Sequence, residues 1–175
     1  MEKLSSDFIP HRQVVPFSAR LQNAKGPIRF NMTNDYMFRA ILQKNTKVLK
    51  GLICACLHLM PEQIVSIEVT NPIELGQQME DKDFVLDIKV VLNDSMILNL
   101  EMQVQNEKNW PERSLTYLCR SFDQLQSGEN YWAAKPAVHI GFLCFSLFPE
   151  NPEFFATYKM MNTKTYHIYS DKLTL

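Results

Sequence analysis

The sequence predicts an α/β domain in which a central mixed β-sheet is flanked by helices, in the order helix, strand, strand, strand, helix, strand. Three observations carry this. Residues 83–90 and 96–105 alternate strictly between apolar and polar side chains, the period of a strand with one covered face. Apolar residues recur at helical spacings of three and four before and after those strands. Ala137 to Phe148 is a largely apolar run, which suits a central strand buried on both faces.

Residues 1–30 form a separate zone with Pro10, Pro16 and Pro27 and a mild excess of Lys and Arg. They read as an extended arm, either loosely docked or in contact with phosphate. The domain proper is expected over 31–175. Thr33 or Asn34 can cap a first helix, with Asp35 in its first turn and Met37, Phe38 and Ile41 as its apolar stripe. Gln43-Lys44-Asn45 is a break. A second helix follows from about Thr46 to Leu59, with Val48, Leu49, Leu52, Ile53, Cys56 and Leu57 turned inward, and Pro61 stops it. Ile64 to Thr70 reads as a first strand, and residues 73–82 as a loop.

The two alternating stretches then form a hairpin across Asn93-Asp94-Ser95. A two-residue turn would set one strand's polar face against the other's apolar face, which is disfavoured wherever a face is buried. A three-residue loop pairs Leu92 with Met96 and keeps the faces matched. That register places Asp87 opposite Glu101, Lys89 opposite Asn99 and Val85 opposite Gln103. Two opposed carboxylates, with Cβ atoms ~5 Å apart, repel each other unless a cation lies between them. This is a metal-site geometry.

Trp110-Pro111 opens another helix, about 111–127, with Leu115, Leu118, Phe122 and Leu125 as its buried face. Arg113, Tyr117, Arg120 and Gln124 lie on a neighbouring polar stripe. Phe154 to Met160 and Tyr166 to Tyr169 look like two further strands. Trp110 and Trp132 read as core anchors, and His139 as a hydrogen-bonded core histidine. Cys54, Cys56, Cys119 and Cys144 lack CxxC spacing and read as small buried hydrophobes of a reducing compartment.

A net charge of −1 excludes a generally basic, nucleic-acid-coating protein, so any such contact must be a local patch. No apolar stretch reaches the ~18 residues a membrane span needs, and no signal-peptide pattern opens the chain. A cytoplasmic protein is expected.

Asp87, Glu101 and Gln103 carry the chemistry. Hard divalent cations such as Mg²⁺ favour carboxylate oxygens and keep several waters, so two carboxylates from adjacent strands are a sufficient protein contribution. Gln103, two residues beyond Glu101 on the same face, can orient a water or a phosphate oxygen. A hairpin with a merely solvated outer face is the other reading of the same pattern.

Asn34-Asp35-x-x-Phe38, Leu86-Asp87, Glu101-x-Gln103 and Arg113-x-x-x-Tyr117, in that order, resemble the family of recombination-promoting nucleases and transposases. That family is a branch of the PD-(D/E)XK nuclease superfamily. Gly128-Glu129-Asn130-Tyr131 and the strand through Val138-His139-Ile140 are also similar, so the likeness covers roughly 31–175. It implies a restriction-endonuclease-like core and Mg²⁺-dependent cleavage of DNA, with Mn²⁺ as a substitute, in a protein of mobile elements or recombination. It further implies that the chain is the N-terminal catalytic part of a longer architecture; self-association stays open.

On this resemblance Asp87 and Glu101 are the motif acids, holding the metal with the Met102 backbone carbonyl. Asp35 is the acid of the first helix. Lys89, Arg113 and Tyr117 are the phosphate or DNA contacts. Two positions depart from the pattern: residue 86 is Leu rather than Pro, and Gln103 stands where the superfamily has Lys. Gln cannot act as a cation, so Lys89 or Arg113 must supply the charge or activity is low. A module of this fold that binds nucleic acid or protein without catalysis is the alternative.

Overall fold

A computed structural model of the protein describes residues 25–26, 31–71 and 87–175, and of Asp87 the backbone alone. Most of the expected arm, the loop at 73–82 and the first hairpin strand before Asp87, including Leu86 and the Val85–Gln103 pair, lie outside the described residues.

Helix α1 spans Asp35–Lys44. It is capped by Asn34, whose side chain accepts from the Met37 N–H at 3.0 Å. Asn45 is the break the sequence marks. Its backbone N–H closes α1 on the Ile41 carbonyl, and its side-chain oxygen accepts from the Val48 N–H to open α2, Thr46–Leu57. A 3₁₀ turn at Pro61–Gln63 leads to β1, Ile67–Val69, shorter than the 64–70 the sequence suggests.

Strands β2 (Asp87–Leu92) and β3 (Met96–Gln103) form the hairpin in the expected register: Asp87 faces Glu101, Lys89 faces Asn99 and Leu92 faces Met96. The turn is built on Asn93 and Asp94, both at positive φ (51° and 52°), where Asn and Asp are tolerated best after glycine. Asn93 also ties the turn to the chain before β1. Its side chain accepts from the Val65 and Ser66 N–H groups and donates to the Gln63 carbonyl.

Helix α3 spans Trp110–Phe122 and ends five residues before Ser127-Gly128. Strand β4, Ala137–Leu143, runs parallel to β3, and β5, Leu173–Thr174, runs parallel to β4. The result is a five-stranded mixed sheet in the order β1-β2-β3-β4-β5, the predicted class. The two late strands expected at 154–160 and 166–169 are replaced by isolated bridges, Lys159 to Thr174 and Met161 to Ile168. Their apolar residues mimic strand composition, but the sheet offers them no covered face.

The sheet has two unlike faces. On one, Leu98, Leu100 and Val138 pack with Ile88, Val90 and Leu92 against Phe38, Leu42, Leu49 and Ile53 of α1 and α2. Each such side chain contributes about 1.5–3 kcal/mol by leaving water. On the other face α3 covers β3 and β4, over Asn99, Glu101 and His139, all buried. Trp110 crosses β4 at Gly141, where a Cβ would lie 2.0 Å from Cζ2 of the indole. Glycine there lets the ring descend onto the strand.

Several burial expectations are corrected. Trp110 is a core anchor, but Trp132 is 83% exposed on a 3₁₀ turn, Tyr131–Ala133. Leu115 and Val48 are exposed, each on the outer edge of its helix stripe. Cys119 and Cys144 are exposed and Cys54 and Cys56 half-buried, so the cysteines are not uniformly core residues. Among the described residues no helix is long and apolar enough to cross a membrane.

Candidate functional site

The centre of the site is Glu101, fully buried on β3. A carboxylate in such a place is costly unless a cation and hydrogen bonds compensate it. Arg113, in the first turns of α3, supplies both: its Nε and Nη2 each lie 2.7 Å from Glu101 Oε1. Pro111 at the start of α3 fixes the helix entry, and the register of α3 over β3 then brings position 113 to the acid. Arg113 is thus not part of a solvated stripe. Its guanidinium also lies over the Tyr117 ring, 5.3 Å from the centroid.

Tyr117 stacks in turn on His139, with centroids 5.9 Å apart and planes 14° apart, and Trp110 lies 5.5 Å from the same imidazole. His139 pairs with Asn99 across β3 and β4, and the Asn99 amide nitrogen donates to His139 Nδ1 at 3.0 Å. The ring proton therefore sits on Nε2, which faces Glu101 Oε2 at 3.8 Å. Burial, then the nearby Arg113 charge, lowers the His139 pKa to about 4, so the ring is neutral. This bears out His139 as a hydrogen-bonded interior residue. Asn99 and its contact with His139 were not singled out in the sequence; the signal was Asn99's place on the Glu101 face of an alternating strand.

The other expected residues are placed as follows. The backbone of Asp87 is directly across from Glu101. Gln103 is half-buried at the end of β3, and its amide donates to the Gln105 carbonyl at 2.9 Å. Met102 belongs to the row whose partner on β4 is Phe142, and Phe38 of α1 packs on Phe142 at 5.4 Å. Helix α1, which Asp35 opens, therefore packs on the face of the sheet that carries Met102 and Phe142, opposite the face of Glu101. Partial burial raises the Asp35 pKa. Lys89 is exposed on β2, beyond the cover of α3, and its backbone N–H donates to the Asn71 side chain at 2.7 Å.

Arg39 was not picked out from the sequence. It is buried on α1, four residues after Asp35, and its Nη2 donates to the Asn71 carbonyl at 2.7 Å. Asn71 thereby links α1 to β2 two residues from Asp87. The spacing of four from Asp35 was the available signal.

Among the described residues no three His, Cys, Asp or Glu side chains gather as a metal site. The donor chemistry nevertheless fits a hard divalent cation. A wholly buried carboxylate faces a second acidic position across the hairpin, beside a main-chain carbonyl at 102. Arg113 holds Oε1 of Glu101.

No curated protein and no solved structure matches the chain. The family model of PD-(D/E)XK nuclease family transposases matches residues 32–175, nearly all of the described domain, and the chain belongs to that family.

Proposed function

We propose that the protein is a divalent-metal-dependent endonuclease that hydrolyses DNA phosphodiester bonds, of the transposase or recombination-promoting type, with Asp87 and Glu101 as its paired acids. The observation that carries this is a fully buried glutamate held directly opposite an aspartate position across a hairpin. The family membership supports the reaction class.

Asp87, Glu101 and the Met102 carbonyl would hold a divalent cation, with Mg²⁺ the natural choice and Mn²⁺ a substitute, which would supply Lewis acidity when bound. The chain's own residues do the rest. Gln103 orients the water through its amide once it releases the Gln105 carbonyl. Arg113 fixes the Glu101 carboxylate and places a permanent positive charge beside it, which compensates for the absence of Lys at position 103. Tyr117 keeps that guanidinium in place from beneath, and Lys89, exposed beside the acids, contacts backbone phosphate. Asp35, the acid of the first helix, would orient groups around the bound cation.

The second reading is a non-catalytic module that binds nucleic acid or protein. One observation favours it: the Glu101–Arg113 pair already compensates the buried charge, and Gln103 is not a cation. Plasmid nicking separates the two. Cleavage in Mg²⁺ or Mn²⁺ that is lost in folded Asp87→Ala and Glu101→Gln supports the nuclease. DNA bound but never cut, with or without metal, supports the module.

A further inference from the structure

Residues 154–175 carry three lysines, Lys159, Lys164 and Lys172, against one acid, Asp171, in a chain whose overall charge is −1. Within this stretch 160–169 fold into a short two-stranded finger. The Tyr169 N–H donates to the Met160 carbonyl, the Asn162 N–H donates to the His167 carbonyl, and Met161 bridges Ile168. The tip is closed by the Asn162 side chain, which accepts from the Lys164 and Thr165 N–H groups at 2.9 and 3.0 Å. Tyr166 follows at φ 57°, a region that bulky residues rarely adopt, and its N–H donates to the Asn162 carbonyl at 2.8 Å.

The finger's aromatic side chains face solvent: Tyr166 is 75% and Tyr169 81% exposed. The Lys172 ammonium donates to the Trp132 and Ala134 carbonyls at 3.0 and 2.8 Å. That contact fastens the Tyr131–Ala133 turn, with its exposed Tyr131 and Trp132, to the chain that leaves the finger. Lys159 and Lys164 have no ion-pair partner among the described residues. Aromatic rings left in water beside unpaired cations mark an interaction surface, and their combination is the one that binds nucleic-acid strands.

The finger is separate from the candidate nuclease centre: from Tyr158 the chain runs past Thr174 toward the Ala137 end of β4, whereas Glu101 pairs with Gly141 toward the other end. Tyr158 exchanges both backbone hydrogen bonds with Leu175, which follows Thr174, the partner of Val138. Tyr158 is therefore level with Asn99 and three strand spacings, roughly 14 Å, from β3.

We propose that the finger and the Trp132 turn bind unpaired DNA, with bases stacked on Tyr166, Tyr169 and Trp132 and phosphates held by Lys159 and Lys164. In an intact duplex the base faces are already stacked on one another, so exposed rings gain little there; an unpaired strand offers them. The proposal rests on DNA being the substrate, as in the proposed function.

The test uses fluorescence anisotropy in EDTA, with one labelled oligonucleotide as a single strand and as a duplex, over a range of salt. The Glu101→Gln protein should bind the single strand more tightly. Adding Lys159→Ala and Lys164→Ala should weaken that binding at least tenfold and reduce its log–log salt slope by about 1.4, at about 0.7 per phosphate contact. Tyr166→Ser with Tyr169→Ser should weaken single-strand binding more than duplex binding. These positions are exposed, and unchanged melting curves verify the fold. Binding unaffected by any of these variants overturns the proposal, as does a preference for duplex. It is also overturned if the variants abolish only self-association in sedimentation. Metal-dependent nicking that persists alongside any of those results leaves the nuclease reading standing; loss of both DNA binding and nicking in the wild type removes both readings.

Discussion

Arg113 on α3 and Glu101 on β3 form one buried unit, with Nε and Nη2 both 2.7 Å from a single carboxylate oxygen. The pair docks a helix onto the sheet and sets the charge of the candidate centre with the same contact. Removing the arginine strands an acid in the interior. Arg113→Met should therefore destabilise the fold by about 2–4 kcal/mol, the lower part of the range reflecting the arginine's partial exposure. Adding Glu101→Gln should recover much of the loss. Urea denaturation of the two single variants and the double variant measures this; additive losses would contradict the pairing.

His139 gives a pH signature. Its pKa is lowered from 6.5 to about 4, so between these values the unfolded chain binds more protons than the folded one. Stability is thus complete above about pH 6.5 and falls as the pH drops toward 4, by about 3 kcal/mol in all. Carboxylates titrate in the same window, so the comparison is with His139→Gln. Urea midpoints at pH 7.5 and 5 should differ more for the wild type than for the variant, and an equal drop in both would sink this assignment.

Gly141 should not accept a side chain. A Cβ there meets the Trp110 ring at 2.0 Å, so Gly141→Ala should cost about 1–3 kcal/mol through overpacking, read as a lowered melting temperature. Trp110→Leu in the same protein should reduce the penalty of the Gly141→Ala change. A fully stable Gly141→Ala variant would show that the indole does not lie across β4.

Asn93 holds the hairpin by φ and by its side chain together. Asn93→Gly keeps the positive φ and loses three side-chain hydrogen bonds; Asn93→Ala loses both. Each should be destabilised by about 1–3 kcal/mol, with Asn93→Ala the worse. Chemical denaturation ranks them, and the reverse order would refute the turn geometry.

The hairpin was legible in the sequence because a period of two fixes which residues share a face, and that constraint alone selects the pairing of Asp87 with Glu101. The start of α1 was legible for a similar reason, since capping needs a specific side chain at a specific place, and of Thr33 and Asn34 it is Asn34 that caps; Asn45 was legible as a break but not as the cap of α2. Trp132 and the 154–169 segment were not. Composition marks them as apolar, but whether an apolar residue is covered depends on which distant element lies over it. Arg113 sat on the stripe the sequence identified, yet its contact with Glu101 depends on how α3 lies across β3, which no local pattern encodes. Arg39 was missed although it follows Asp35 by four residues, because that spacing alone does not show that the helix buries the guanidinium.

The proposed function depends on Asp87 and Glu101 sharing a divalent ion across the hairpin. Titration of Mn²⁺ followed by electron paramagnetic resonance tests it most directly. The wild type should take up Mn²⁺ at one site that Mg²⁺ displaces, and folded Asp87→Ala and Glu101→Gln should each lose it. Undiminished uptake in both variants, or no uptake by the wild type at millimolar ion, would contradict the claim.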